Sequence, residues 1–275
     1  MRAVYNPPME ASVHPGSIVI LDFGGQYAHL IANRVRRLGA YSEIRVAETP
    51  AETLKGAAGI ILSGGPQSVY EPGSPQADQK ILDLGIPILG LCYGHQWLAH
   101  VLGGKVEGGK AKEYGMTPIE ITHAGKLFKG LPKKFVVWMS HGDEVTQLPE
   151  GFVQSAKSEI GEFAAMENTK KHLYGAQFHL EVTHSEHGMD ILQRFVELCE
   201  PSPWSITSFK DHVGEQVKKE VGDKKVFMLV SGGVDSTVAF TLLNEVLGTD
   251  RVQGLLVDTG LMRKNEVKMI QDAFK

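Results

Sequence analysis

A chain of 275 residues, 42% hydrophobic and 22% charged, has room for two globular domains and is too ordinary in composition for a fibrous or disordered class. The net charge of −4 gives no electrostatic case for binding nucleic acid, and no apolar run reaches the length of a membrane span. Two cysteines, Cys92 and Cys199, exclude a disulfide scaffold and a four-cysteine zinc site, and fit a reducing, cytoplasmic setting.

Met1 to Ser17 carries three prolines and no long apolar core, so it does not read as a secretory signal, and residues 1–16 are expected to form a flexible lead-in. Ser17–Phe23 reads as a strand that Gly24-Gly25 turns into a helix over Tyr27–Leu38, with Gly39 as its stop. Strands follow at Ser42–Val46 and Gly59–Leu62, the second running into Ser63-Gly64-Gly65-Pro66. Ala77–Leu84 reads as a helix, and Ile86–Leu89 leads into Gly90-Leu91-Cys92-Tyr93-Gly94-His95-Gln96 and a further helix to Leu102. This alternation predicts a parallel sheet with helices on both faces. From Tyr114 the pattern changes to short strands at Thr117–Thr122, Phe135–Met139 and Phe152–Lys157, then Tyr174–Phe178 and a helix over Met189–Cys199. Glu200-Pro201-Ser202-Pro203 ends a first domain of residues 17–200. Residues 201–275 begin a second: a helix at Ser208–Glu220, a strand at Lys225–Val230, a loop at Ser231–Ser236, a helix at Thr237–Leu247, a strand at Arg251–Val257 and a helix at Lys264–Lys275.

Cys92 sits two residues from a glycine on either side, after an apolar strand and before a helix. That is the setting of a nucleophile elbow, whose sharp turn pushes the side chain off the end of the sheet. A cysteine there suggests attack on an acyl or amide carbon through a thioester. The other reading is a small residue buried in a strand; a partner base decides between them. His179 and Glu181 close the strand that ends near Phe178, and residues two apart on a strand share a face. The carboxylate can then orient the imidazole while His179 takes the thiol proton. The N–H of Tyr93 is one oxyanion donor by elbow geometry, and Gly64 and Gly65 can bring backbone N–H groups to the same point. His179, His184 and His187 also raise metal ligation, but the Pro-Cys-x-x-Cys that zinc deaminases pair with His-x-Glu is absent.

These strings, with Leu62-Ser63-Gly64-Gly65-Pro66 and the ordered His179 and Glu181, resemble the class I (triad) glutamine amidotransferases. The stretches Leu21–Tyr27, Trp138–Asp143 and Glu181–His184 resemble the GMP synthase branch of that family. The resemblance covers Ser17 to Cys199 and implies a flavodoxin-like, mostly parallel sheet that hydrolyses glutamine to glutamate and ammonia. It also implies that Gln96 and the Ser140-His141 backbone help to hold the glutamine. The family usually has proline between the histidine and glutamate, where this chain has Leu180; without the preset φ the pair is expected to be looser, at no loss of a catalytic group. Gly25 stands where serine is common, a departure that reads as minor.

Ser231-Gly232-Gly233-Val234-Asp235-Ser236-Thr237 follows an apolar strand and opens a helix, the arrangement of a phosphate cradle. It is not a Walker A loop, which requires a Gly-Lys-Ser/Thr ending. The string resembles the PP-loop of ATP pyrophosphatases, α/β domains of the adenine nucleotide α-hydrolase-like type, and Val257–Glu266 again resembles the GMP synthase branch. The resemblance implies ATP as a substrate, Mg²⁺ near Asp235, no organic prosthetic group, and activation of xanthosine monophosphate (XMP) for displacement by ammonia to give GMP. It further implies homodimerisation through a C-terminal domain. The second domain holds only two strands, so the chain is expected to be part of a longer protein, hydrolysing glutamine weakly and making no GMP by itself. Two rival readings are a non-catalytic amidotransferase-like module and a stand-alone glutaminase serving a separate synthetase chain.

Overall fold

The computed structural model describes residues 12–258, 263 and 265–273. They form two compact units, the first closing at Trp204 and the second opening at Ser205.

The first unit runs β1 (Ile18–Asp22), α1 (Ala28–Arg37), β2 (Ser42–Val46), β3 (Gly59–Leu62), β4 (Ile88–Leu91), α2 (Tyr93–Val101), β5 (Lys105–Ile121), β6 (Lys134–Gln147), β7 (Val153–Ser158), β8 (Ala165–Asn168), β9 (Leu173–Ala176) and α3 (Gly188–Cys199). The strands join one nine-stranded sheet in the order β2-β1-β3-β4-β9-β8-β7-β5-β6. From β2 to β9 the pairing is parallel. Beyond β9 it is antiparallel.

Strands β1, β3 and β4 are apolar along their length because both faces of this part of the sheet are covered. Alternate residues split between two cores. Ile18 and Ile20 of β1 pack with Ala28, Ile31, Ala32 and Val35 of α1 and with Ile191, Leu192 and Phe195 of α3. Val19 and Leu21 pack with Trp97, Leu98 and Ala99 of α2. The α1 contacts recur at helical spacing, one stripe of an amphipathic helix. Helices thus lie on both faces, and the loops after β1, β3, β4 and β9 gather at one edge of the sheet, where open α/β sheets place their sites.

Several elements differ from expectation. Residues 1–11 of the expected lead-in lie outside the described residues, and 13–16 are not free. Val13 is buried and its N–H donates to the Thr53 carbonyl at 3.2 Å, while the Gly16 carbonyl accepts from Ser202 N at 2.8 Å. The helix expected at Ala77–Leu84 is a 3-10 turn over Gln79–Asp83, capped by the Asp78 carboxylate and stopped by Gly85 at φ +71°. The strand expected at Thr117–Thr122 is the end of a much longer β5, which a register shift between Gly108 and Glu113 interrupts. Ala165–Asn168 is a strand with no alternation to announce it, being buried throughout.

The second unit runs α4 (Ile206–Val221), β10 (Val226–Val230), α5 (Val234–Leu247), β11 (Val252–Leu256) and α6 (Glu266–Ala273). Strands β10 and β11 pair in parallel. Phe227, Leu229 and Leu255 are exposed on these strands. Residues 259–262 and 264 of the Val257–Glu266 string, and the ends of the helix expected at Lys264–Lys275, lie outside the described residues. Among the described residues no helix is long and apolar enough to cross a membrane.

Candidate active site

Cys92 joins β4 to α2 with φ +51° and ψ −105°, a conformation L-residues rarely adopt and one that costs about 1–3 kcal/mol. Its N–H donates to the Ala176 carbonyl at 2.8 Å and its carbonyl accepts from Gln96 N at 3.1 Å, so both flanking peptides are pinned. The two glycines are required by contact: a Cβ on Gly90 would lie 2.3 Å from the Gly94 carbonyl oxygen, and one on Gly94 would lie 2.4 Å from that of Leu62. The expected elbow is therefore formed.

His179 and Glu181 lie together, for a reason other than strand alternation. Strand β9 ends at Ala176, and both residues follow it in irregular chain. His179 Nδ1–H donates to Glu181 Oε1 at 2.7 Å, and the Cys92 thiol is a further hydrogen-bond partner of the ring. The segment is clamped by its backbone. His179 N donates to the Trp138 carbonyl at 3.1 Å, the Ser185 hydroxyl to the His179 carbonyl at 2.5 Å, and Arg34 Nε to the Glu181 carbonyl at 3.0 Å. Leu180 is buried in the core with α3. Its burial and these clamps replace the constraint that proline would supply, so the looser geometry expected of leucine is not seen. Burial alone lowers the affinity of His179 for a proton, but the Cys92 and Glu181 contacts outweigh it and raise its pKa from 6.5 to about 10.

Cys92 and His179 line a pocket of about 650 Å³ with Gly64, Gly65, Gln96, Ser140 and His141, so seven of the expected site residues share one cavity. Tyr93 differs: its side chain is buried and its hydroxyl donates to the Pro75 carbonyl at 2.7 Å, leaving only its backbone at the elbow. Its N–H opens α2, where first-turn N–H groups have no intrahelical acceptor. The Ser63 hydroxyl shapes the neighbouring loop by donating to the Gly64 carbonyl at 2.9 Å. A Cβ on Gly25 would come within 2.4 Å of that same oxygen, so glycine at 25 is a steric requirement here and not a minor departure.

The site has members that sequence reasoning missed. Gln177 Nε2 approaches Cys92 Sγ at 3.7 Å, and the ring of Tyr27 meets His179 edge-on at 5.0 Å. His141 Nδ1–H donates to the Asp143 carbonyl at 2.9 Å, and its Nε2 lies 3.3 Å from the buried Glu113 carboxylate. His95 is buried and held near pKa 3 by that burial; its ring bonds the Phe163 carbonyl at 3.1 Å and ties α2 to the chain before β8. Among the described residues no group of three His, Cys, Asp or Glu side chains could hold a metal. His187 pairs instead with Asp190 at 2.8 Å, and His184 packs on Trp138.

In the second unit Gly233 caps α5 and Gly232 takes φ +81°. Ser231 N donates to the Ser236 hydroxyl at 3.2 Å, which donates to the Gly233 carbonyl at 3.0 Å. Val234, Asp235 and Thr237 occupy the first turn of the helix, so the expected loop is a preshaped strand–loop–helix turn.

The glutamine amidotransferase class-I family model matches residues 19–199. The chain belongs to the class-I glutamine amidotransferase family. A second family model, NAD synthase, matches residues 205–274 of the chain. A Leptospira interrogans relative assigned as GMP synthase (glutamine-hydrolysing) is 50% identical over 92% of this chain and 43% of its own length. The Bacillus cereus GMP synthase (glutamine-hydrolysing) is 47% identical over 94% of this chain and 51% of its own. The chain thus spans about half the length of the curated relatives it matches. Among solved structures, a GMP synthase component from Thermoplasma acidophilum superposes with a TM-score of 0.60 at 30% identity, over 73% of this chain and 98% of that one.

Proposed function

We propose that the first unit of this amidotransferase hydrolyses glutamine through a Cys92 thioester. The observation that carries the reading is His179 bonded to both the elbow thiol and the Glu181 carboxylate at one pocket. The Cys92 proton passes to His179, and the sulfur attacks the side-chain amide carbon of glutamine. The Tyr93 N–H and the Gly64 and Gly65 backbone stabilise the oxyanion, while Gln96, Ser140 and His141 hold the substrate. His179 protonates the departing ammonia, then takes a proton from the water that opens the thioester to glutamate. Release of glutamate and ammonia by the purified chain, and its loss in Cys92→Ala, tests this against a non-catalytic module; release that survives the substitution overturns it.

For the whole protein we infer glutamine-dependent GMP synthesis, a ligase reaction of purine biosynthesis. The Ser231–Thr237 turn would cradle the phosphates of ATP while XMP is adenylylated, and ammonia would displace AMP. A magnesium ion fits the donor set. Such ions are held by one or two carboxylates plus substrate phosphates, and Asp235 offers an exposed carboxylate in the first turn of α5. The ion would neutralise phosphate charge. Homodimerisation and a cytoplasmic setting belong to the same proposal, the latter supported by two free cysteines.

Gly25 gives a separate test. A serine there must displace the Gly64 carbonyl, and shifts of this size near reacting atoms cost on the order of 100-fold in rate. Gly25→Ser is expected to lower glutamine hydrolysis by about tenfold or more with a near-parental thermal midpoint. Steady-state rates and thermal melts check it.

A further inference from the structure

The bonding around Cys92 fixes the direction of two side-chain amides. Gln96 Nε2 donates to the Asp143 backbone carbonyl at 2.8 Å and to Gln177 Oε1 at 3.2 Å. A backbone carbonyl only accepts, so the nitrogen of Gln96 must face it, and both hydrogens of that NH₂ are then committed. Gln177 receives the second on its oxygen, which leaves its own NH₂ as the end that meets Cys92 Sγ at 3.7 Å. Both glutamines are 3% exposed, so water does not compete for these positions.

The sulfur has a second polar neighbour, the Ser140 carbonyl, also at 3.7 Å. As a thiol, Cys92 can donate there. Once its proton has passed to His179, that contact loses its hydrogen and sets a carbonyl oxygen against a negative sulfur. The Gln177 contact changes in the opposite sense, becoming a hydrogen bond to an anion and about twice as strong. We propose that Gln177 is an additional catalytic residue that stabilises the Cys92 thiolate, and that Gln96 is a positioning residue that aims it. This rests on Cys92 being the nucleophile.

The titratable groups facing the same space are His179, with Glu181 behind it, His141 and Asp143 on β6, Tyr114 on β5 and Tyr27 ahead of α1. The substitutions below leave all of them in place. The test is the rate of Cys92 alkylation by iodoacetamide as a function of pH, with the Cys92→Ala chain as the blank for buried Cys199. Gln177→Met removes the donor at similar volume, and Gln177→Glu keeps the shape but sets a carboxylate against the sulfur. A hydrogen bond to a charged group is expected to move the alkylation midpoint of Gln177→Met upward by about one pH unit, and that of Gln177→Glu further. In glutamine hydrolysis kcat is expected to fall about tenfold in Gln177→Met while KM stays within about twofold. Gln96→Met is expected to shift the midpoint in the same direction by less. Profiles of Gln177→Met and Gln177→Glu that superimpose on the parent overturn the proposal; should Gln177→Met melt early, the isosteric glutamate variant alone decides. Failure of the thioester reading looks different, since the Cys92→Ala chain would then still hydrolyse glutamine, whatever the alkylation profiles.

Discussion

Cys92→Ala is expected to reduce glutamine hydrolysis by about 10⁴-fold or more, the scale seen when a triad nucleophile is removed from a preformed oxyanion site. The fold should tolerate the change. Cys92 is buried, and alanine retains the Cβ that its neighbours already accommodate. The backbone bonds from Cys92 N to Ala176 and from Gln96 N to Cys92 do not involve the thiol. The positive φ is as costly for alanine as for cysteine. A rate loss with an unchanged thermal midpoint therefore reads the chemistry alone, and glutamate release by the two chains under the same conditions checks it.

Glu181→Gln is expected to lower kcat by about 10³- to 10⁴-fold, as when a triad carboxylate becomes an amide. Glu181 is 1% exposed, and its Oε1 takes the Nδ1–H of His179 at 2.7 Å. An amide can still accept that bond. It cannot stabilise the imidazolium that forms when the thiol proton arrives. The same pair makes stability depend on pH. The His179 pKa is raised in the folded state from 6.5 to about 10, so its contribution is fully present below pH 6.5 and is lost as pH rises toward about 10. Glu181→Gln removes part of that contribution. The gap between the thermal midpoints of the two chains is therefore expected to narrow from pH 6.5 to about 10. A gap that widens over that range contradicts the assignment.

Cys92 was legible because its determinants are local. The elbow requires small residues at 90 and 94, and each would collide with backbone if it carried a Cβ. The His179–Glu181 pair was legible as a pair but not for its cause. Strand alternation suggested it, yet β9 has already ended, and the pair is held by Arg34, Trp138 and Ser185. Arg34 lies 147 residues away in the chain, beyond anything that spacing can report. Gln177 was hidden for a similar reason. Between Ala176 and Phe178 it reads as strand, and only its bonds to Gln96 and Cys92 distinguish it. Glu113 stands in a glycine-rich stretch with no local signal, and its partners His141 and Ser158 come from other strands. Gly25 was visible as a departure, but its meaning needed the Gly64 carbonyl beside it. Long-range contacts decided what local pattern could not.

The central claim is a covalent bond between Cys92 and the glutamyl group. The purified chain, mixed with glutamine, quenched in acid during turnover and digested, should yield a peptide carrying a glutamyl thioester on Cys92. The Cys92→Ala chain should yield none. Steady glutamate release with the thioester absent from the parent chain, or an adduct on a different residue, would contradict the account.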